Sequence, residues 1–296
     1  MMSMKKYPAL LLTLSLGVWL AANAADETTD ATAKPLRILL IAGGCCHDYG
    51  AQKDLLKAGI ESRLKAEVDV EYSPDKSTKT TFPRYESADW AKGYDVILHD
   101  ECSADVTNKE YVKRILDAHL QGVPAVNIHC AMHSYRWDDF RKPVNPGADN
   151  AGWFEMIGLQ STGHGPKEPI DITFTDKKHP ITVGMADWST GGEELYNNVQ
   201  IFATAHPLAS GKQMVPPRKK KGQPADPKAK PTEVNAVVAW TNEYGANKTK
   251  TFSTTIGHFN ETVADDRYLD LVSRGLLWVT GHLGEDGKAT DGYGKD

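Results

Sequence analysis

The residues best suited to chemistry sit where apolar runs stop. Gly43-Gly44-Cys45-Cys46-His47-Asp48-Tyr49 follows the run Leu36–Ile41, His99-Asp100-Glu101-Cys102 follows 96–98, and His129-Cys130-Ala131-Met132-His133 follows 125–128. If those runs are neighbouring parallel strands, their carboxyl ends open on one crevice, the place where open α/β sheets bind ligands. Imidazoles and thiols then share one edge. Further along, His164 stands between two glycines, Glu194 precedes Leu195-Tyr196, and Gly257-His258-Phe259-Asn260-Glu261 follows another apolar run. Glycine beside a histidine lets backbone and substrate approach closely. His258, Glu194 and His129 are the candidate acid/base groups, and His47, Asp48, His164 and Tyr196 the candidate substrate contacts.

Neutral imidazoles that converge on one pocket also suit a divalent ion such as Zn²⁺, so His47, His129 and His258 form a candidate metal set; direct contact with substrate hydroxyls is the competing use. Local spacing adds little. His129 and His133 are four apart and share a helical face only if both are helical, whereas His129 is expected at a strand end; His133 then reads as a surface or capping residue. His99 reads as a buried strand histidine satisfied by a neighbour, His179 before Pro180 as a turn residue, and Glu193 and His206 as exposed polar residues. Cys130, after a strand and before a helix, invites comparison with a nucleophile elbow, yet Ile128 and Met132 occupy positions where that turn wants small residues. Cys130, Cys45, Cys46 and Cys102 therefore read as small packed side chains. Adjacent Cys45 and Cys46 would pair only through a strained ring, so no disulfide framework is expected, while a Cys102–Cys130 bridge stays open.

These residues need a scaffold, and the sequence outlines one. Leu36–Ile41 suits a strand buried on both faces, Leu55, Leu56, Ile60 and Leu64 recur at helical spacing, Val68, Val70 and Tyr72 alternate, and a buried run follows at 96–98. The rhythm is β-α-β-α-β. Tyr111, Val112, Ile115, Leu116 and Leu120 mark a helix stopped by Gly122, and Pro124 opens the strand 125–128. The first half is α/β and doubly wound. In the second half Ile170, Ile172 and Phe174 alternate, 201–203 is a short apolar run, 236–240 and 251–256 form a hairpin, and Tyr268 to Trp278 form a last amphipathic helix. A Pro/Lys/Gly-rich stretch, 211–233, reads as an exposed loop in which Arg218 to Lys221 are solvated rather than polyanion-binding. One domain is expected over 36–285, with a polar tail at 286–296.

The whole chain has 296 residues, 40% hydrophobic and 25% charged, with a formal net charge of -5. That balance gives no general electrostatic reason to bind nucleic acid or anionic lipid. Lys5-Lys6, the apolar run 9–20 and Ala22-Asn23-Ala24 together read as a signal peptide over 1–24, followed by a flexible leader at 25–35. The run is shorter than the roughly 20 apolar residues that span a bilayer. Export to the periplasm or medium is expected, with no membrane span once the signal is cleaved.

Several of these segments resemble one family. The run Ile41-Ala42-Gly43-Gly44 with His47, then Asn127-Ile128-His129, His164, His179-Pro180-Ile181-Thr182, Glu194-Leu195-Tyr196, Trp240, Tyr244-Gly245, Gly257-His258 and Arg274-Gly275-Leu276-Leu277-Trp278 resemble, in order and spacing, the ThuA-like (trehalose utilisation) family. The resemblance implies a fold like that of the class I glutamine amidotransferases: an α/β, flavodoxin-like three-layer sandwich with a parallel central sheet and an added β-hairpin. It also implies a role in sugar catabolism, in which a glycoside or its keto derivative is hydrolysed, eliminated or isomerised by His/Glu acid-base chemistry. The partner is then a small sugar or keto-glycoside, and self-association into a homo-oligomer is compatible with that role. Two alternatives remain. One is an amidohydrolase with Cys130 as nucleophile and His258 as base, although the carboxylate after His258 is one residue further on than in the amidotransferases. The other is a non-catalytic carbohydrate-binding protein, suggested by Trp and Tyr near the same loops.

Overall fold

The computed structural model describes residues 33–217 and 230–295, so the expected signal peptide, most of the expected leader and Arg218–Lys221 lie outside the described residues. In chain order the elements are β1 (Leu36–Gly44), α1 (Tyr49–Arg63), β2 (Ala66–Ser73), β3 (Val96–Cys102), α2 (Lys109–Leu120), β4 (Ala125–Ile128), α3 (Gly152–Ile157), β5 (Leu159–Gln160), β6 (His164–Phe174), β7 (Trp188–Tyr196), β8 (Gln200–Ile201), β9 (Ala205–Val215), β10 (Thr232–Tyr244), β11 (Thr249–Thr254), α4 (Asn260–Val263) and α5 (Asp266–Thr280). Nine of the strands make one sheet in the order β2-β1-β3-β4-β11-β10-β9-β6-β7.

The first five strands of that order are mutually parallel. Their sequence 2-1-3-4-5 is the flavodoxin-like winding, with the switch point between β1 and β3. Both strands are buried almost throughout, as continuous apolar runs require when helices cover the two faces. Leu56 and Ile60 of α1 and Leu269 and Leu276 of α5 fill one side of the sheet, and Val112 and Ile115 of α2 with Trp153 and Ile157 of α3 fill the other. The architecture is therefore α/β, with three layers and a parallel core. The expected hairpin is β10–β11, and β11 joins the parallel core beside β4. Three further antiparallel strands, β9, β6 and β7, extend the sheet beyond it.

Three local expectations change. No crossover helix separates β2 from β3; residues 74–95 contain only a 3-10 turn, Pro83–Glu86, because Pro74 and Pro83 disfavour a helix and Phe82, Tyr85 and Trp90 bury their rings in its place. The exposed loop is shorter than 211–233, since β9 continues to Val215 and β10 begins at Thr232, paired with it. These ends are ladder hydrogen-bonded with polar residues facing water, so composition alone misreads them as loop. The polar segment after residue 285 docks on the fold: Lys65 N–H donates to the Tyr293 carbonyl at 2.9 Å, and Tyr293 stacks on His282 with centroids 3.7 Å apart.

Candidate active site

The carboxyl ends of β1, β4 and β11 deliver His47, His129 and His258 to one place. His129 follows β4 directly and has a φ of 42°, a left-handed conformation that a side-chain-bearing residue adopts only under constraint. It opens the 3-10 turn His129–His133. The strained position of this strand-to-helix turn is thus held by an imidazole, and Cys130 comes one residue later. Gly257, at a φ of 129°, turns the chain out of β11; a Cβ there would meet the Tyr268 hydroxyl at 2.7 Å. Glu194 arrives from β7, at the far end of the sheet, and His164 from the start of its neighbour β6.

Glu194 is the hub. Its Oε2 lies 3.4 Å from His258 Nδ1, 3.5 Å from His164 Nε2 and 3.7 Å from His129 Nε2, and its Oε1 lies 3.8 Å from Lys167 Nζ. The His47 ring is 4.6 Å from both the His129 and the His258 ring. One nitrogen or oxygen from each of His47, His129, Glu194 and His258 lies within 4.8 Å of the other three. His129 Nδ1 donates to the Thr255 carbonyl at 2.6 Å, which leaves Nε2 with its lone pair towards Glu194 and towards the Tyr196 hydroxyl at 3.3 Å. Nε2 of His47 and Nδ1 of His258 are buried without a hydrogen-bond partner. Burial, reinforced by the charge of His47, holds the His129 pKa well below the ordinary histidine value. Burial pushes Glu194 up, but the imidazole of His258 and those of His164 and His47 outweigh it and leave the carboxyl below its usual range. His47 is raised: burial lowers it, and the Cys130 thiol and Glu194 together more than compensate.

The other sequence candidates fall into place around this hub. Tyr196 is buried between His129 and His133, stacked on the latter at 4.2 Å. Asp48 caps α1 and accepts a hydrogen bond from Asn260 Nδ2 at 3.0 Å, so it ties the His47 loop to the His258 loop. His99 is buried and bonded to Tyr85, Glu101 and His119. His179 sits in a turn and accepts the Ile181 N–H, and His206 is exposed and paired with Asp176 at 2.8 Å. Two expectations are corrected. His133 is buried rather than a surface residue, with Nε2 2.8 Å from Ser161 Oγ, because the 3-10 turn rolls it beneath β5 and β6. Glu193 is also buried, since the in-out alternation of β7 ends at Gly192 and every residue from Glu193 to Tyr196 is covered. Its Oε1 accepts the His258 N–H at 2.9 Å, and burial raises its pKa. Gln52 gives no signal in the sequence, yet its amide donates to the His258 carbonyl at 3.0 Å and the Gly257 carbonyl at 3.3 Å.

Two of the four cysteines depart from expectation. Cys45 and Cys46 are joined by a disulfide, and Cys46, at a φ of 83°, is exposed. Cys102 and Cys130 are buried thiols with sulfurs 2.8 Å apart. Cys130 faces another sulfur, and the Cys102 thiol, together with the His47 imidazole, holds its pKa well below the ordinary thiol value despite burial.

The cluster opens on a hollow of about 320 Å³ lined by Cys46, His47, Asp48, Lys167 and His258 through Glu261. A second hollow of about 260 Å³, walled by Trp188, shares Phe259 and Glu261 with it. Among the described residues no helix is long and apolar enough to cross a membrane.

Residues 37–279 match the family model described as ThuA, trehalose utilisation. A comparison with curated proteins finds no match. Among solved structures, a ThuA-like protein from Parabacteroides merdae is similar with a TM-score of 0.56 at 18% identity, over 88% of this chain and 97% of that one. Another, from Bacteroides uniformis, is similar with a TM-score of 0.53 at 16% identity, over 88% and 95% of the two chains. The family match spans most of the chain, and both structural neighbours share its fold: the chain belongs to the ThuA family.

Proposed function

We propose that this protein is an exported enzyme of sugar catabolism that acts on a glycoside or its keto derivative at the Glu194 cluster, with a divalent cation such as Zn²⁺ held by His47, His129, Glu194 and His258. The observation that carries the reading is the way these atoms face one another. His129 Nε2 bears a lone pair and points at a carboxylate oxygen 3.7 Å away, while two more buried imidazole nitrogens have no partner. Lone pairs that converge in a buried site repel unless a proton or a cation lies between them, and three imidazoles and a carboxylate around one point suit a cation. Ligand atoms around a four-coordinate zinc sit about 3.3 Å apart, given bonds of about 2.0–2.1 Å, so the 3.4 and 3.7 Å spacings at Glu194 already approach that size. The Thr255 carbonyl on His129 is the outer partner that ligating histidines commonly have. Such an ion supplies Lewis-acid polarisation of a sugar oxygen.

This assignment changes the expected division of labour, in which Glu194 and His258 transfer protons. His164 is left as the acid/base: it is 39% exposed, lies outside the ligand set and is still 3.5 Å from Glu194. A ketone beside a sugar C–H bond makes that proton removable by such a base. Lys167 at the mouth suits a substrate hydroxyl or a developing oxyanion. Two hollows that share Phe259 and Glu261 as walls, one of them also walled by Trp188, suit two sugar rings. The family description supports a sugar, and the Lys5–Ala24 pattern supports export.

The test is conversion of keto-trehalose and related keto-glycosides by the mature protein, with and without added divalent ions. Turnover is expected, and His164→Asn should lower kcat by about 10²–10⁴-fold with the metal content unchanged. Tight sugar binding without product in every condition would instead identify a carbohydrate-binding protein.

A further inference from the structure

Four sulfurs form a connected chain, bent at Cys45, from solvent to the interior. Exposed Cys46 is bonded to Cys45; Cys45 Sγ lies 3.4 Å from Cys102 Sγ; and Cys102 Sγ lies 2.8 Å from Cys130 Sγ. The sheet enforces this order. β1, β3 and β4 are adjacent, and Gly44 pairs in register with Cys102 at a φ of 104°, so close that a Cβ would run into the Cys102 carbonyl. The glycine seats Cys45 directly over Cys102, and the turn after β4 places Cys130 on its other side.

We propose that these cysteines form an internal thiol–disulfide relay that moves one disulfide between the exposed Cys45–Cys46 pair and the buried Cys102–Cys130 pair. The Cys102 sulfur attacks Cys45, a Cys45–Cys102 bond forms, and Cys46 leaves with the electron pair. The Cys130 sulfur then attacks Cys102, a Cys102–Cys130 bond forms, and Cys45 leaves. Protons lost by Cys102 and Cys130 end on Cys46 and Cys45, so one disulfide and two thiols are present before and after, and no outside oxidant is consumed. The inference is independent of the sugar chemistry. Its consequence reaches the cluster, because Cys46 precedes His47: with the bridge at 45–46 the loop carrying His47 is cross-linked to itself, and with the bridge at 102–130 it is released.

The relay is tested on protein reduced and then reoxidised with one equivalent of oxidised glutathione, quenched with an alkylating agent at low pH, digested with trypsin and read by mass spectrometry. Cys45 and Cys46 share peptide 38–53, Cys102 lies in 93–109 and Cys130 in 115–136. Wild type is expected to yield the 93–109/115–136 cross-link, alone or beside the internal 38–53 bridge. Cys130→Ser should arrest the relay as a 38–53/93–109 cross-link with Cys46 alkylated. Cys46→Ser, at an exposed position, keeps the test open if the buried variant does not fold: one bridge involving Cys102 should persist in it. The proposal is overturned if wild type and Cys130→Ser both retain only the internal 38–53 bridge, if all three thiols of Cys46→Ser are alkylated, or if the reduced cysteines hold a metal ion and no bridge forms.

Discussion

Glu193 and Glu194 are neighbours in sequence with different tasks. Glu194 faces the four imidazoles, whereas Glu193 turns the other way, is fully buried and holds the His258 backbone N–H. Glu193 is thus a positioning residue for a proposed ligand. Its bond goes to the backbone of His258 rather than to the imidazole, so it acts by placing the residue that carries the ring. Glu193→Ala should weaken zinc by about 10-fold in competition with a chelator while the circular dichroism spectrum stays native, and Glu193→Gln, whose amide oxygen still accepts the His258 N–H, should retain it; unchanged affinity in Glu193→Ala would remove Glu193 from the site. At this scale the sequence shows which residue types are available but not which way they point. His47, His129, His164, Glu194 and His258 are all legible as histidines and a carboxylate after strands or beside glycines. Glu193 and Gln52 are not, because their roles depend on a backbone group 65 and 206 positions away.

Among the elements, the turn out of β11 carries the most consequence for its length. Gly257 is needed both for its positive φ and for the Tyr268 hydroxyl against it, and the next residue is His258. Gly257→Ala should cost about 1–3 kcal/mol by denaturant unfolding and displace His258. Zinc affinity should fall with stability, and a variant that loses neither would show that the turn can be rebuilt. The parallel strands were readable because each is buried on both faces and so is continuously apolar. The antiparallel extension was harder: Lys212, Met214 and Glu233 face water along β9 and β10, so the strands hide within a polar composition. The missing crossover helix has a similar origin, since an aromatic plug buries the same sheet face that a helical stripe would.

Across the whole molecule, buried neutral imidazoles tie folding to pH. His119 is fully buried between the His99 ring and the Val123 carbonyl, and burial, with the charge of His99, lowers its pKa to about 3. Between pH 6.5 and 3 the unfolded chain binds a proton there that the folded chain refuses. Stability is therefore full above about pH 6.5 and declines as the pH falls, by up to about 1.4 kcal/mol per unit from this group. His129 and His133 are lowered by burial in the same direction. The urea midpoint should drop between pH 7.5 and pH 5, and the drop should be smaller in His119→Gln; equal drops in the two proteins would contradict this origin.

The proposed reaction rests on one divalent cation held by His47, His129, Glu194 and His258. Anomalous diffraction at the zinc edge, from crystals of the mature protein grown with one equivalent of Zn²⁺, tests it most directly. A single strong peak enclosed by those four side chains is expected. No peak at that position, or a peak among the sulfurs of Cys45, Cys102 and Cys130, would contradict it.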